Sequence, residues 1–150
     1  MSKLTHINAK GEARMVDVSG KPVQLRAAMA RGEIRMAPAT LKLVLSDKIA
    51  KGNVLVTARI AGIQAAKRTG ELIPMCHPLP LDHCKVEFAF PKAGNAIVIT
   101  VTTRVAAKTG VEMEALAAVN LAALTIYDMC KAVDKKMRIT NVKLVSKTKQ

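Results

Sequence analysis

The segment from Val111 to Val133 most constrains how this chain can fold. Leu116, Ala117, Val119, Leu121, Ala122, Leu124, Ile126 and Met129 spread around it at helical spacing and leave no broad polar face, and a helix that is apolar all round must be covered on more than one side. In a small α+β layer a helix meets its sheet on a single face, so the rest of this surface calls for a second subunit. Composition points the same way. Half of the 150 residues are hydrophobic but only 2% are aromatic, with no tryptophan, so the core must be built from small aliphatic side chains and Met that let backbones approach closely. Length and apolar content together suit one globular domain over residues 1–150.

The elements around that helix follow from periodicity and breakers. Partial alternation from Met15 to Met36 predicts extended strand with an interruption near Gly32, and Pro38 suits the first turn of a short helix reaching Leu45. Asn53 can cap a helix over Val54–Arg68, where Ala58, Ala61, Gly62, Ala65 and Ala66 form a small-residue surface for close packing. Pro74, Pro78 and Pro80 exclude both helix and central strand, so Ile73–Pro80 is a stiff loop. Lys85–Phe90 and Ala96–Val105 alternate cleanly across Pro91–Asn95 and predict a β-hairpin. A last strand over Met137–Val145 completes the order βαββαβ, an α+β class with a ferredoxin-like, antiparallel sheet packed by helices.

A net charge of +13 makes a field that attracts anions: polynucleotides, anionic lipids or phosphorylated metabolites. Single-strand binders present aromatic stacking platforms, whereas Phe88, Phe90 and Tyr127 sit in apolar surroundings that suit burial. That weighs toward a clustered phosphate pocket. The first ten residues lack the order of a signal peptide and no uninterrupted apolar run spans a bilayer, so a cytoplasmic protein is expected, with no membrane partner. Cys76, Cys84 and Cys130 are odd in number and form no CxxC, as reduced thiols would.

Several residues could carry chemistry, each against a plainer reading. The proline-bracketed Met75-Cys76-His77 is either a rigid turn or a preorganised ligand loop. Cys76-His77 and His83-Cys84 lack the ligand spacing of a zinc site, and no metal is expected. Thr109-Gly110-Val111-Glu112 fits a capping box, with Thr109 as the cap. Glu114 lies about 200° around the helix from Glu112, which predicts that the two do not line one pocket. Asp128 and Lys131, three apart, make an ion pair that so apolar a helix would partly bury, the setting of an acid–base couple. Lys51, Lys67, Arg68, Arg104 and Lys108, with the Gly110 turn, could together cradle phosphate oxygens. No Walker-type loop is present.

The combination of Leu72-Ile73-Pro74-Met75-Cys76-His77-Pro78-Leu79, Lys108-Thr109-Gly110-Val111-Glu112-Met113-Glu114-Ala115-Leu116 and Ala123-Leu124-Thr125-Ile126-Tyr127-Asp128-Met129-Cys130-Lys131-Ala132-Val133 closely resembles the cyclic pyranopterin monophosphate synthase family, molybdenum cofactor biosynthesis protein C. Met15–Val18 and Ala58–Thr69 extend the resemblance over nearly the whole chain. It implies a ferredoxin-like subunit in a homohexamer, a trimer of dimers with active sites at subunit interfaces. It also implies a lyase that turns a guanosine-triphosphate-derived cyclic nucleotide into cyclic pyranopterin monophosphate and pyrophosphate, without a cofactor. By that similarity Asp128, Lys131 and Lys51 are catalytic, and Met75, Cys76, His77, Met113 and Glu114 contact substrate. Arg26, Lys67, Arg104, Lys108 and Lys147 meet phosphates or neighbouring groups, with Asp17 and Glu112 close by. The chain departs from the pattern at Asn53, where Asp is usual, and at Lys108, where Arg is common. It also stops at Gln150, where the family usually continues into a Gly-rich stretch. The runner-up is a basic RNA-binding module, since ferredoxin-like sheets also read RNA.

Overall fold

The structure, a computed structural model, describes residues 7–150. The elements run β1 (Gln24–Arg35), α1 (Pro38–Leu45), α2 (Val54–Lys67), α3 (Thr69–Leu72), β2 (His83–Ala89), β3 (Ala96–Ala107), α4 (Glu112–Cys130) and β4 (Arg138–Lys149). Ile97, Ile99, Val101, Thr103 and Val105 of β3 are buried while Val98, Thr100, Thr102 and Arg104 between them are not, and a two-residue period of this kind puts one face of the sheet against a helical layer. The four strands pair antiparallel in the order β2-β3-β1-β4, the ferredoxin-like arrangement.

Against that face lies α4, touching β1, β3 and β4, with α2 beside it. By length and composition α4 could cross a membrane, but Ala115, Ala118, Val119, Ala122, Ala123, Ile126 and Met129 are buried in the core. The small residues of α2 do what their pattern predicts: a Cβ on Gly62 would sit 3.1 Å from the Ala118 carbonyl and 3.4 Å from Ala122 Cβ, so the two helices approach at backbone distance. The outer face of α4 keeps Met113 and Leu124 exposed, and α2 adds exposed Val56 and Ile60.

The hairpin, α1, and the Asn53 cap, whose side chain accepts from the Val56 amide at 2.9 Å, lie where the sequence puts them. Four expectations are corrected. Residues 15–23 form no strand, because β1 begins at Gln24, paired with Ala107 at the end of β3, and nothing remains to pair with what precedes it. Gly32 does not interrupt β1; the pairing with β4 shifts register there, and a Cβ on Gly32 would crowd Val119 and Val142. Thr109 caps nothing: α4 starts from Val111 without a side-chain cap, and Thr103 instead donates to the Val111 carbonyl at 3.0 Å. The chain leaves the helix at Cys130, short of Val133, while β4 runs on to Lys149. The N-terminus of α1 is capped from across the fold by Asp134, which accepts from the Ala37 amide at 2.8 Å and the Thr40 hydroxyl at 3.1 Å.

Candidate active site

At the N-terminal end of α4 three segments converge on a cleft of about 630 Å³. Ile73, Met75, Cys76, His77 and Leu79 come from the proline loop, Thr109, Gly110, Glu112, Met113 and Glu114 from the helix start, and Val16, Val18 and Lys21 from the irregular N-terminal segment, with Lys147 at the rim. The proline loop is held by backbone contact: a Cβ on Gly70 of α3 would stand 2.8 Å from Pro78 Cα and 3.2 Å from the His77 carbonyl oxygen. Stiffness there is useful, since a loop that is already ordered costs a ligand little to engage. Glu112 and Glu114 line this cleft together, contrary to the angular expectation. The cleft wraps the tip of the helix, and side chains in a first turn reach around the end of the axis whatever their angle along it.

Glu114 is 3% exposed, and burial pushes its carboxyl up to about 7, with the neighbouring Glu112 charge adding to the effect. Near neutral pH it therefore carries a transferable proton. Cys76 is held as a thiol, its pKa raised first by burial and then by Glu114 and Glu112. Glu112 folds back over Gly110, where any side chain would collide with its carboxylate. One of its oxygens accepts from Lys147 at 3.4 Å, and the other is buried without a partner. A second cavity of about 310 Å³ adjoins the cleft through Gly110, Glu112 and Lys147 and adds Arg26 and Lys149. Arg26 donates weakly to the Lys108 carbonyl at 3.5 Å and keeps a buried Nε with no partner. The unpartnered Arg26 Nε lies in this cavity with Lys147 and Lys149, so its rim is cationic, with the Glu112 carboxylate inside it.

The other end of α4 is chemically different. Asp128 bridges two ammonium groups, Lys131 at 2.7 Å and Lys51 at 2.9 Å, and Lys51 also donates to the Asp128 carbonyl oxygen at 2.9 Å. The pair expected to be partly buried is open: the Asp128 and Lys131 side chains are 55% and 54% exposed. Both sit on the one stripe of α4 that the sheet and α2 leave uncovered. Hydrogen bonds from Lys131 and then Lys51 pull the Asp128 carboxyl down to about 2, and Asp128 raises Lys131.

Within one chain these groups do not meet. Glu114 and Asp128 lie fourteen residues apart on one helix, about 21 Å at 1.5 Å per residue. Lys67 lines a separate cavity with Gly70, Glu71, Pro78, Leu79 and Pro80. Arg104 alternates with buried Thr103 and Val105 and so faces the open side of the sheet. Lys108 donates to the Ser19 carbonyl oxygen at 2.7 Å, and the Asp17 carboxylate is used inside its own turn, accepting from Ser19. Val16 and Val18 of the cleft wall enter from sequence only through the Met15–Val18 resemblance, and Lys21 not at all; their place in the fold puts all three in the cleft. Among the described residues no three His, Cys, Asp or Glu side chains are placed to share a metal ion. Among the described residues the open face of the sheet offers no aromatic platform: Phe88 pairs with Ile99 on the helix side, under the Arg59 guanidinium at 5.3 Å, and Phe90, expected to be buried, lies 41% exposed just past the end of β2, where the strand no longer covers it.

Fold and site together define a class: a ferredoxin-like α+β protein with a cleft at one helix end, a buried carboxyl whose pKa is raised and a cationic edge. Within that class the chain belongs to the MoaC family, whose model matches residues 15–150. It is 57% identical to the cyclic pyranopterin monophosphate synthase of Chloroflexus aggregans over 98% of this chain and 89% of that protein. It is 55% identical to the protein of the same name from Roseiflexus sp. (strain RS-1), over 99% and 94% of the two chains. Against that of Parvibaculum lavamentivorans the identity is 53%, over 97% and 91%.

Proposed function

We propose that this chain is a cyclic pyranopterin monophosphate synthase, a lyase acting in molybdenum cofactor biosynthesis. Its substrate is (8S)-3′,8-cyclo-7,8-dihydroguanosine 5′-triphosphate and its products are cyclic pyranopterin monophosphate and pyrophosphate. The reaction opens the imidazole ring with water, rebuilds the bicycle as a pterin, and closes a cyclic phosphate when a sugar hydroxyl attacks the α-phosphorus and pyrophosphate leaves. Each stage moves protons or stabilises oxyanions, which side chains do unaided. Glu114, protonated near neutral pH, serves as an acid in the cleft that takes the base, between Met75, Cys76, His77 and Met113. Arg26, Lys108 and Lys147 receive phosphate oxygens. Asp128 holds Lys131 and Lys51 in ion pairs, so their first role is to neutralise charge at the reacting phosphate.

The observation that carries this reading is the separation of the two halves along α4. A cleft without the lysine cluster and a cluster without a cleft make one site only if the end of one subunit meets the other end of a neighbour. The exposed Met113, Leu124, Val56 and Ile60 supply the apolar surface for that meeting. That meeting requires at least a dimer; the family resemblance extends it to a homohexamer, a trimer of dimers, of a single-domain cytoplasmic protein, and we adopt that assembly. The test mixes two inactive variants, Glu114→Gln and Asp128→Asn, by co-refolding. Shared sites regain about a quarter of wild-type turnover by random assortment; a mixture no more active than its parts removes the shared site. Loss of product from the cyclised nucleotide in wild-type protein would remove the function itself.

A further inference from the structure

The irregular segment ahead of β1 has neither strand nor helix over residues 14–23, yet it has a defined shape. Asp17 Oδ1 accepts from the Ser19 amide at 2.9 Å and from the Ser19 hydroxyl at 2.6 Å, and the Lys21 amide donates to the Val18 carbonyl at 3.0 Å. Together these make an Asx turn running into a β-turn. The turn offers one outward carbonyl to the cleft wall and another to Lys108, the residue beside cleft-lining Thr109. Val16 O lies 2.8 Å from His77 Nε2, and Ser19 O accepts from Lys108 Nζ at 2.7 Å.

A carbonyl oxygen only accepts, so His77 Nε2 must carry a hydrogen, and in the neutral ring Nδ1 is left as the acceptor. Among the described residues Nδ1 has no hydrogen-bond partner. Lys108 ends a flexible four-carbon stem, and a single strong acceptor is what selects one of its many rotamers. Resting on the reading of this cleft as the substrate site, we propose that the 16–21 turn is the element that orients His77 and Lys108 for substrate. Asp17 then acts through the turn as a positioning residue and does not touch the substrate. Its carboxylate is exposed, already committed to Ser19, and attracted to Lys108 and Arg14, which keeps it ionised.

This role distinguishes shape from charge. Asp17→Asn removes the charge but keeps an Oδ1 able to close the same turn, whereas Asp17→Ala opens it. The expected result with the cyclised nucleotide is a KM raised on the order of tenfold in Asp17→Ala, the scale of one lost charge-assisted hydrogen bond. Asp17→Asn stays within about twofold of wild type. In a background of Lys108→Ala, adding Asp17→Ala costs less than it does in wild type, because the Lys108 share of its effect is already gone and only the His77 share remains. Amide exchange speeds up over residues 15–21 in Asp17→Ala and nowhere else, which separates a loosened turn from a misfolded chain. If Asp17→Asn is as impaired as Asp17→Ala, or the two losses simply multiply, the positioning role is overturned while the substrate site stands. If wild-type protein does not turn over the nucleotide at all, both fall together.

Discussion

The two ends of α4 carry the same functional group in opposite states. At the N-terminal end the Glu114 carboxyl is buried in the cleft it lines with Met75 and Cys76, and burial pushes its pKa up to about 7. At the C-terminal end the Asp128 carboxyl stands in solvent between two ammonium groups and stays ionised down to about 2. One helix thus holds an acid and an anion some five pH units apart, and the difference comes from desolvation at one end and from paired cations at the other. Groups whose surroundings push their pKa values apart are how a fold assigns proton donor and charge stabiliser.

The largest effect expected is at the solvent end. Asp128→Asn or Lys131→Ala should lower product formation by about 10²–10⁴, the usual loss on removing an acid–base group. The urea midpoint should stay at the wild-type value, since exposed ion pairs contribute little to stability. Turnover near wild type in either variant would make this end a surface ion pair and leave the chemistry to the cleft alone.

Next in size is a change in stability at the buried end. Glu114 has a folded pKa of about 7 against an ordinary value of 4.5, so between those two values the folded state holds the proton that the unfolded chain has released. Stability therefore falls as pH rises through that window. The loss is on the order of 3 kcal/mol once Glu114 is ionised in both states. Glu114→Gln should abolish the fall and raise the urea midpoint at pH 8 while impairing turnover. A flat wild-type profile between pH 4 and 8 would mean that the carboxyl is better solvated than its burial implies.

What was legible from sequence was what is local. Asn53 capping α2, the hairpin across Gly94 and the Asp128–Lys131 spacing each depend on a few adjacent residues. What escaped depends on distant partners. Residues 15–23 alternate like a strand but have no strand to pair with once β3 ends at Ala107. Thr109 has the spacing of a cap, yet Thr103, one strand back, anchors the helix start. Asp134 caps α1 across 97 positions. In the site, Lys51 reaches Asp128 across 77 positions; the charge pattern offered it only for a phosphate cradle, and the family resemblance gave it as a catalytic lysine. The openness of the Asp128 pair was hidden because apolar residues all round α4 suggest burial, while the fold leaves one stripe uncovered.

The smallest effect refines the buried end from within. Burial is the first cause of the raised Cys76 thiol pKa and the charges of Glu114 and Glu112 only the second and third. At pH 8 the thiol should alkylate with iodoacetamide more slowly than a free cysteine does, because the reacting species is the thiolate. Cys84, pushed up to about 11 by burial, should be slower still. Replacing Glu114 by Gln removes one repelling charge and leaves the apolar wall in place, so the Cys76 rate should rise by only about two- to threefold. Full recovery to the free-cysteine rate in Glu114→Gln would show that charge and not desolvation governs this end of the helix. The contrast between the two ends would then reduce to a difference in nearby charges, negative Glu112 on one side and the lysine pair on the other.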